Sequence, residues 1–113
     1  MKIKKLWFEI VFVIVNLLIV IFFYKKILLT TILLLIVAIM GLIKWKSLRT
    51  LYIFVLIGII GTLFEILCIY FEIWKYSYTN LLNIPLWLII LWGNAGIVIY
   101  QFGRKFKEKK LKL

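Results

Sequence analysis

The chain has 113 residues, 66% of them hydrophobic, with one proline and a mean hydropathy of +1.16. A soluble domain averages about 45–50% apolar residues, so an ordinary water-soluble fold is excluded, and this much apolar surface equally excludes disorder. Fifteen Lys+Arg against four Asp+Glu give a net charge of +11, which in a soluble chain would point to nucleic acid. In so apolar a chain it points to a membrane, and no nucleic-acid partner is expected.

Four apolar stretches read as the helices of an all-α, polytopic transmembrane four-helix bundle. They cover residues 6–24, interrupted by Glu9 and Asn16; 27–43, with Thr30 and Thr31; 51–71, with the single charge Glu65; and 86–102, with Asn94 and Gln101. A hydrocarbon core ~30 Å thick needs about 20 helical residues, with a working range of about 17–25. The runs are continuous rather than alternating, which excludes barrel strands. Together they make one transmembrane domain, 1–113, ending in a basic tail over 103–113.

Lys25 and Lys26 separate the first two stretches without a nearby Gly, Pro or Asn. An unbroken helix over 6–43 would be about 57 Å long at ~1.5 Å per residue, and each lysine at its centre would cost about 2.5–3.5 kcal/mol. A tight hairpin with both lysines at the interface is expected instead. The charges then sort by side. Lys2, Lys4, Lys5, Lys44, Lys46, Arg49, Arg104, Lys105, Lys107, Lys109, Lys110 and Lys112 fall together, twelve of the fifteen, against Lys25, Lys26 and Lys75. Short loops with this bias predict a multi-pass protein of the cell membrane with both termini cytoplasmic. The first apolar run has no small-residue cleavage site, so it reads as a retained span rather than a signal peptide.

Cys68 is the only cysteine, so no intrachain disulfide forms, and histidine is absent. No zinc or haem ligand set exists, nor a glycine-rich phosphate loop or a Ser–His constellation. No metal, cofactor or catalytic residue is assigned.

Intramembrane polar groups are costly and are the default place to look for function. Counting back along the spans at ~1.5 Å per residue puts Asn16 and Asn94 about 12 Å below the outer boundary. The same count gives Glu65 about 9 Å, Thr31 about 6 Å and Thr62 about 14 Å. Each helix thus offers a hydrogen-bonding side chain to one outer-half layer. Gly58, Gly61, Thr62, Glu65, Cys68 and Glu72 share one face of the third helix, and Gly93, Gly96, Tyr100 and Gly103 form a similar stripe on the fourth. Small residues of this kind let helices approach closely.

No Lys or Arg lies within a span, so an ionised Glu65 has no counter-ion there. Two readings stand: a protonated Glu65 bonded to Asn16 or Asn94, or a carboxylate that meets a cation or a hydroxylated ligand. Glu9 reads as interfacial, accompanied by Lys5 at i−4. In the outer segment 72–83, Trp74, Tyr76 and Tyr78 read as an aromatic belt or as a lid that brings indole and phenol rings beside Glu65, suited to organic cations or lipid-like ligands. Pro85 suits the first turn of the fourth span, followed by Trp87 and Trp92. The candidate ligand-binding set is Glu65, Asn16, Asn94, Glu72, Thr62, Trp74, Tyr76 and Trp87.

The order of Glu65, Trp74, Tyr76, Pro85, Trp87, Trp92 and Gly93, read as E…W-x-Y…I-P-x-W…W-G, resembles a segment of small uncharacterised prokaryotic polytopic membrane proteins. More distantly it resembles the carotenoid-biosynthesis (bacterioruberin hydratase-like) membrane family, whose members are longer. That resemblance implies an apolar-isoprenoid pocket with Glu65 as its acidic group. In length, span number and an intramembrane carboxylate the chain also looks like small multidrug-resistance transporters, although LWFEIVFVI around Glu9 departs from their first-helix motif, and this likeness concerns architecture only.

Three functional classes fit this pattern. The first is a transporter or binding protein for a cation or amphipathic ligand, working as a homo-oligomer. The second is an assembly subunit that uses the small-residue stripes and sets its tail against anionic headgroups. The third is an intramembrane lipid- or isoprenoid-modifying enzyme with Glu65 or Glu72 as acid or base.

Overall fold

The computed structural model describes residues 6–80 and 83–112, with side chains as far as 107. Among the described residues the chain is all-helical, with four helices: α1 Trp7–Phe23, α2 Ile27–Trp45, α3 Leu48–Tyr70 and α4 Trp87–Lys112. Two of them, α2 and α3, are long and apolar enough to cross a membrane by length and composition.

The α1–α2 reversal occupies residues 24–26, with Lys26 N–H donating to the Phe23 carbonyl over 2.9 Å. No residue of this turn has positive φ, so the absence of glycine there carries no strain. The turn is tied down from α2: the buried Thr30 hydroxyl donates to the Phe23 carbonyl, one of the carbonyls that a helix end leaves without an internal partner. The α2–α3 joint is shorter still. Lys46 takes a left-handed conformation at φ 44°, its N–H closing on the Leu42 carbonyl at 3.0 Å. Ser47 then caps α3, accepting from the Thr50 amide at 3.3 Å.

The fourth helix differs from expectation. It starts at Trp87, after the buried Pro85, and runs through the basic segment to Lys112 rather than ending near 102. Beyond Gly103 the sequence RKFKEKKLK holds strong helix formers and no breaker. Once the apolar part is helical, nothing stops propagation.

α4 is the hub. It packs most extensively on α3 and also on α2 and α1, while α2 and α3, although joined by two residues, touch little. The α3–α4 contact is made by glycines. A β-carbon at Gly58 would lie 3.1 Å from the Ile89 carbonyl oxygen, and one at Gly61 would overlap the Trp92 indole. Gly103 has no such neighbour and takes no part in the packing. Two core clusters result. Leu34, Ile84, Trp87 and Leu88 sit toward the 71–86 connection, and Phe12, Ile97 and Val98 sit toward the other end. There Trp45 meets Phe8 and Phe12 edge-on at 5.2 Å between centroids.

The distribution of side chains is inverted relative to a water-soluble bundle. Glu9, Asn16, Thr30, Thr50, Thr62, Glu65, Asn94 and Gln101 are buried. Large aliphatics such as Leu17, Ile36, Met40, Leu56, Ile60 and Leu67 face outward.

Candidate functional site

The polar residues are not joined into one hydrogen-bonded set. They separate into three groups of partners.

At the end that carries the 71–86 connection, Glu65 is 8% exposed. Its Oε2 accepts from the Trp74 indole Nε1 at 2.7 Å and from the Tyr76 hydroxyl at 3.1 Å. Neither Asn16 nor Asn94 bonds it. The chain reaches this arrangement by turning sharply after α3. Glu72 adopts φ 60°, its amide donating to the Ile69 carbonyl at 3.0 Å, and the Ile73 amide returns to the Cys68 carbonyl at 2.9 Å. This turn drops Trp74 and Tyr76 back over the end of α3. Burial first, then the adjacent Glu65 charge and its hydrogen bond, push the Tyr76 phenol well above its ordinary range. Tyr76 therefore stays a neutral donor at any physiological pH. Trp87 packs edge-on against Tyr76 at 6.3 Å, with its own Nε1 buried and without a hydrogen-bond partner among the described residues. Trp74 and Tyr76 also border a cavity of about 560 Å³ whose polar wall is Glu72, Lys75, Thr79 and Asn83.

Seven residues after the start of α4, Asn94 Nδ2 donates to Asn16 Oδ1 at 2.7 Å and to the Leu34 carbonyl at 3.3 Å. Asn16 Nδ2 in turn donates to the Phe12 carbonyl at 2.7 Å. Thr31 bonds within its own helix, to the Ile27 carbonyl at 2.8 Å. Thr62 is buried with its hydroxyl unpartnered among the described residues.

At the far end, Gln101 Nε2 donates to Thr50 Oγ1 at 2.9 Å. Glu9, expected at an interface, is fully buried and forms an ion pair with Lys105 of α4. Lys5, its expected companion, lies outside the described residues. The longer α4 explains the difference: continuing the helix past 102 brings Lys105 alongside the start of α1.

Asn94, Gln101 and Lys105, at i, i+7 and i+11, therefore fall on one line of α4, and each ties α4 to another helix. Ending the fourth span at 102 hid this line, because Lys105 then belonged to a tail. Extending the count of same-face polar residues into the basic segment would have found it. Among the described residues no group of three His, Cys, Asp or Glu side chains is placed to hold a metal ion. Comparison with protein-family models, with curated proteins and with solved structures finds no match to this chain.

Proposed function

We propose that this chain is a four-span protein of the cell membrane, both termini cytoplasmic, that binds or carries an organic cation or cationic amphiphile at Glu65. The inverted burial pattern supports the membrane placement: apolar side chains face outward and polar ones pair inside, as a hydrocarbon solvent requires. The charge bias supports the orientation, since twelve of fifteen basic residues fall on one side of four spans.

The observation that carries the function is how Glu65 is held. Two neutral donors satisfy one oxygen, and no cationic side chain among the described residues pairs with it. A carboxylate stabilised this way retains its attraction for an arriving positive charge. The donors are themselves aromatic and border the outer cavity, so a cation there also lies beside their rings, with Glu72 and Lys75 both on the wall. An amphiphile would leave its tail along the apolar exterior.

The test uses the full chain in phosphatidylcholine nanodiscs, with tetraphenylphosphonium as probe and tryptophan fluorescence as readout. Saturable quenching is expected, weakened at least about tenfold in Glu65→Gln, which keeps an acceptor for Trp74 and Tyr76 but removes the charge. Equal binding by wild type and Glu65→Gln would refute the reading.

A second reading, an assembly subunit, rests on α3. Its one extensive neighbour is α4, and Leu56, Ile60, Leu63 and Leu67 face away from it. A partner membrane subunit or a second copy packed on that face would co-purify at fixed stoichiometry in mild detergent.

A further inference from the structure

The wall of the outer cavity carries both signs of charge. Glu72 and Lys75 line it together, yet among the described residues no ion pair joins them and neither side chain is hydrogen-bonded. The chain has already left α3 at this point, with Glu72 at φ 60°, so the two do not meet as a helical i, i+3 pair does. Thr79 and Asn83 complete the polar wall, and a hydroxyl and a side-chain amide each donate and accept. The cavity, about 560 Å³, lies within the size range of small-molecule sites, about 300–1,000 Å³.

This wall is held in place from several sides. Trp74 and Tyr76 are tied to Glu65, and Tyr78 packs on Tyr24 of the α1–α2 turn at 5.8 Å between centroids. The Asn80 amide donates to the Ile84 carbonyl at 3.1 Å, and Asn80 Oδ1 accepts from the Leu86 amide at 2.9 Å. Thr79 and Asn83 stand next to these ties in the chain. Of three non-glycine residues with positive φ among those described, two are on this wall, Glu72 and Asn83. Backbone of that kind persists where its surroundings impose it, and it concentrates at ligand sites.

We propose that the outer cavity takes a zwitterion of the ethanolamine phosphate class, its primary ammonium on Glu72 and its phosphate on Lys75. A simple cation there is drawn by Glu72 and repelled by Lys75, and a simple anion the reverse, whereas a zwitterion gains from both. It bridges two charges that the fold leaves unpaired. A primary ammonium also brings three hydrogens to a wall rich in acceptors, which a quaternary ammonium lacks. This deepens the reading above: it rests on the outer cavity as the place where a cation arrives and adds the ligand's second charge.

The test measures binding of radiolabelled glycerophosphoethanolamine to the full chain in phosphatidylcholine nanodiscs, by scintillation proximity, beside tetraphenylphosphonium. Saturable binding of both is expected. Lys75→Gln should weaken the zwitterion by up to about fivefold, the upper range for an exposed charge pair, while tightening tetraphenylphosphonium. A merely structural role for Lys75 would move both probes the same way. Glu72→Gln should weaken both probes, and glycerophosphocholine should compete up to about tenfold less well than glycerophosphoethanolamine, the range spanned by one hydrogen bond. Adding phosphatidylethanolamine to the nanodisc separates the sources: loss of soluble-probe binding identifies a lipid headgroup as the occupant, and unchanged binding a soluble zwitterion. A wild type that binds tetraphenylphosphonium but not glycerophosphoethanolamine, equal competition by glycerophosphocholine, or weakening of both probes in Lys75→Gln would each overturn the zwitterion site and leave the cation reading standing. Equal tetraphenylphosphonium binding by wild type and Glu65→Gln would instead overturn the role of Glu65, and a wild type that binds neither probe would overturn both.

Discussion

Glu9 and Glu65 are both buried carboxylates, yet the fold satisfies them by opposite means. Glu9 is sealed completely and paired with the ammonium of Lys105, which itself remains 29% exposed. Glu65 receives only neutral donors, both from the segment that directly follows its own helix. An ion pair across α1 and α4 holds helices together and leaves little field for anything else. Two neutral donors leave Glu65 without a charged partner among the described residues. The comparison therefore separates a carboxylate paired with a charged side chain from one held by neutral donors alone.

The largest effect should come from breaking the first. Removing one partner of a fully buried pair costs about 3–5 kcal/mol, and the partial exposure of Lys105 puts Lys105→Met near 3 kcal/mol in a denaturant titration in detergent. The double variant Glu9→Gln/Lys105→Met should recover most of that loss. A single variant as stable as wild type would show that Glu9 is not held as an ion. Next, Gly61→Val drives a side chain into Trp92. Overpacking of this kind costs about 1–3 kcal/mol, and unchanged stability would mean that α3 and α4 do not approach through these glycines.

The smallest effect concerns Tyr76. Its folded-state pKa is raised above that of the unfolded phenol, chiefly by burial and then by the neighbouring Glu65, so the fold favours the neutral phenol, and this contribution is fully present at neutral pH. That contribution is lost only as pH rises through the raised value. In an alkaline ultraviolet titration one tyrosine should ionise above the others, and Tyr76→Phe should remove that late step alone. A late step surviving in Tyr76→Phe would assign it to another tyrosine.

Much of this could be read from residue order. Two features illustrate it: the Lys25–Lys26 reversal and the small residues on one face of α3 and of α4 are local signals, and local sterics realise them. The candidate site was legible in its members but not in its grouping. Asn16, Glu65 and Asn94 share a depth by counting residues, but counting fixes height along a helix axis and not rotation about it. Asn94 turns toward Asn16 and Leu34, and Glu65 turns toward Trp74 and Tyr76. Thr30 and Thr50 gave no signal, since a threonine in an apolar run reads the same whether it bonds its own helix, as Thr31 does, or another element.

Composition and run length by themselves determined that the chain is helical over four apolar stretches and where each helix sits to within a few residues, the end of α4 excepted, because backbone hydrogen bonding and side-chain polarity act locally. Only the tertiary structure decided which buried carboxylate meets a cation and which meets aromatic donors. That choice depends on how far α4 continues and how residues 71–76 fold back, and both are set by packing between residues distant in the chain.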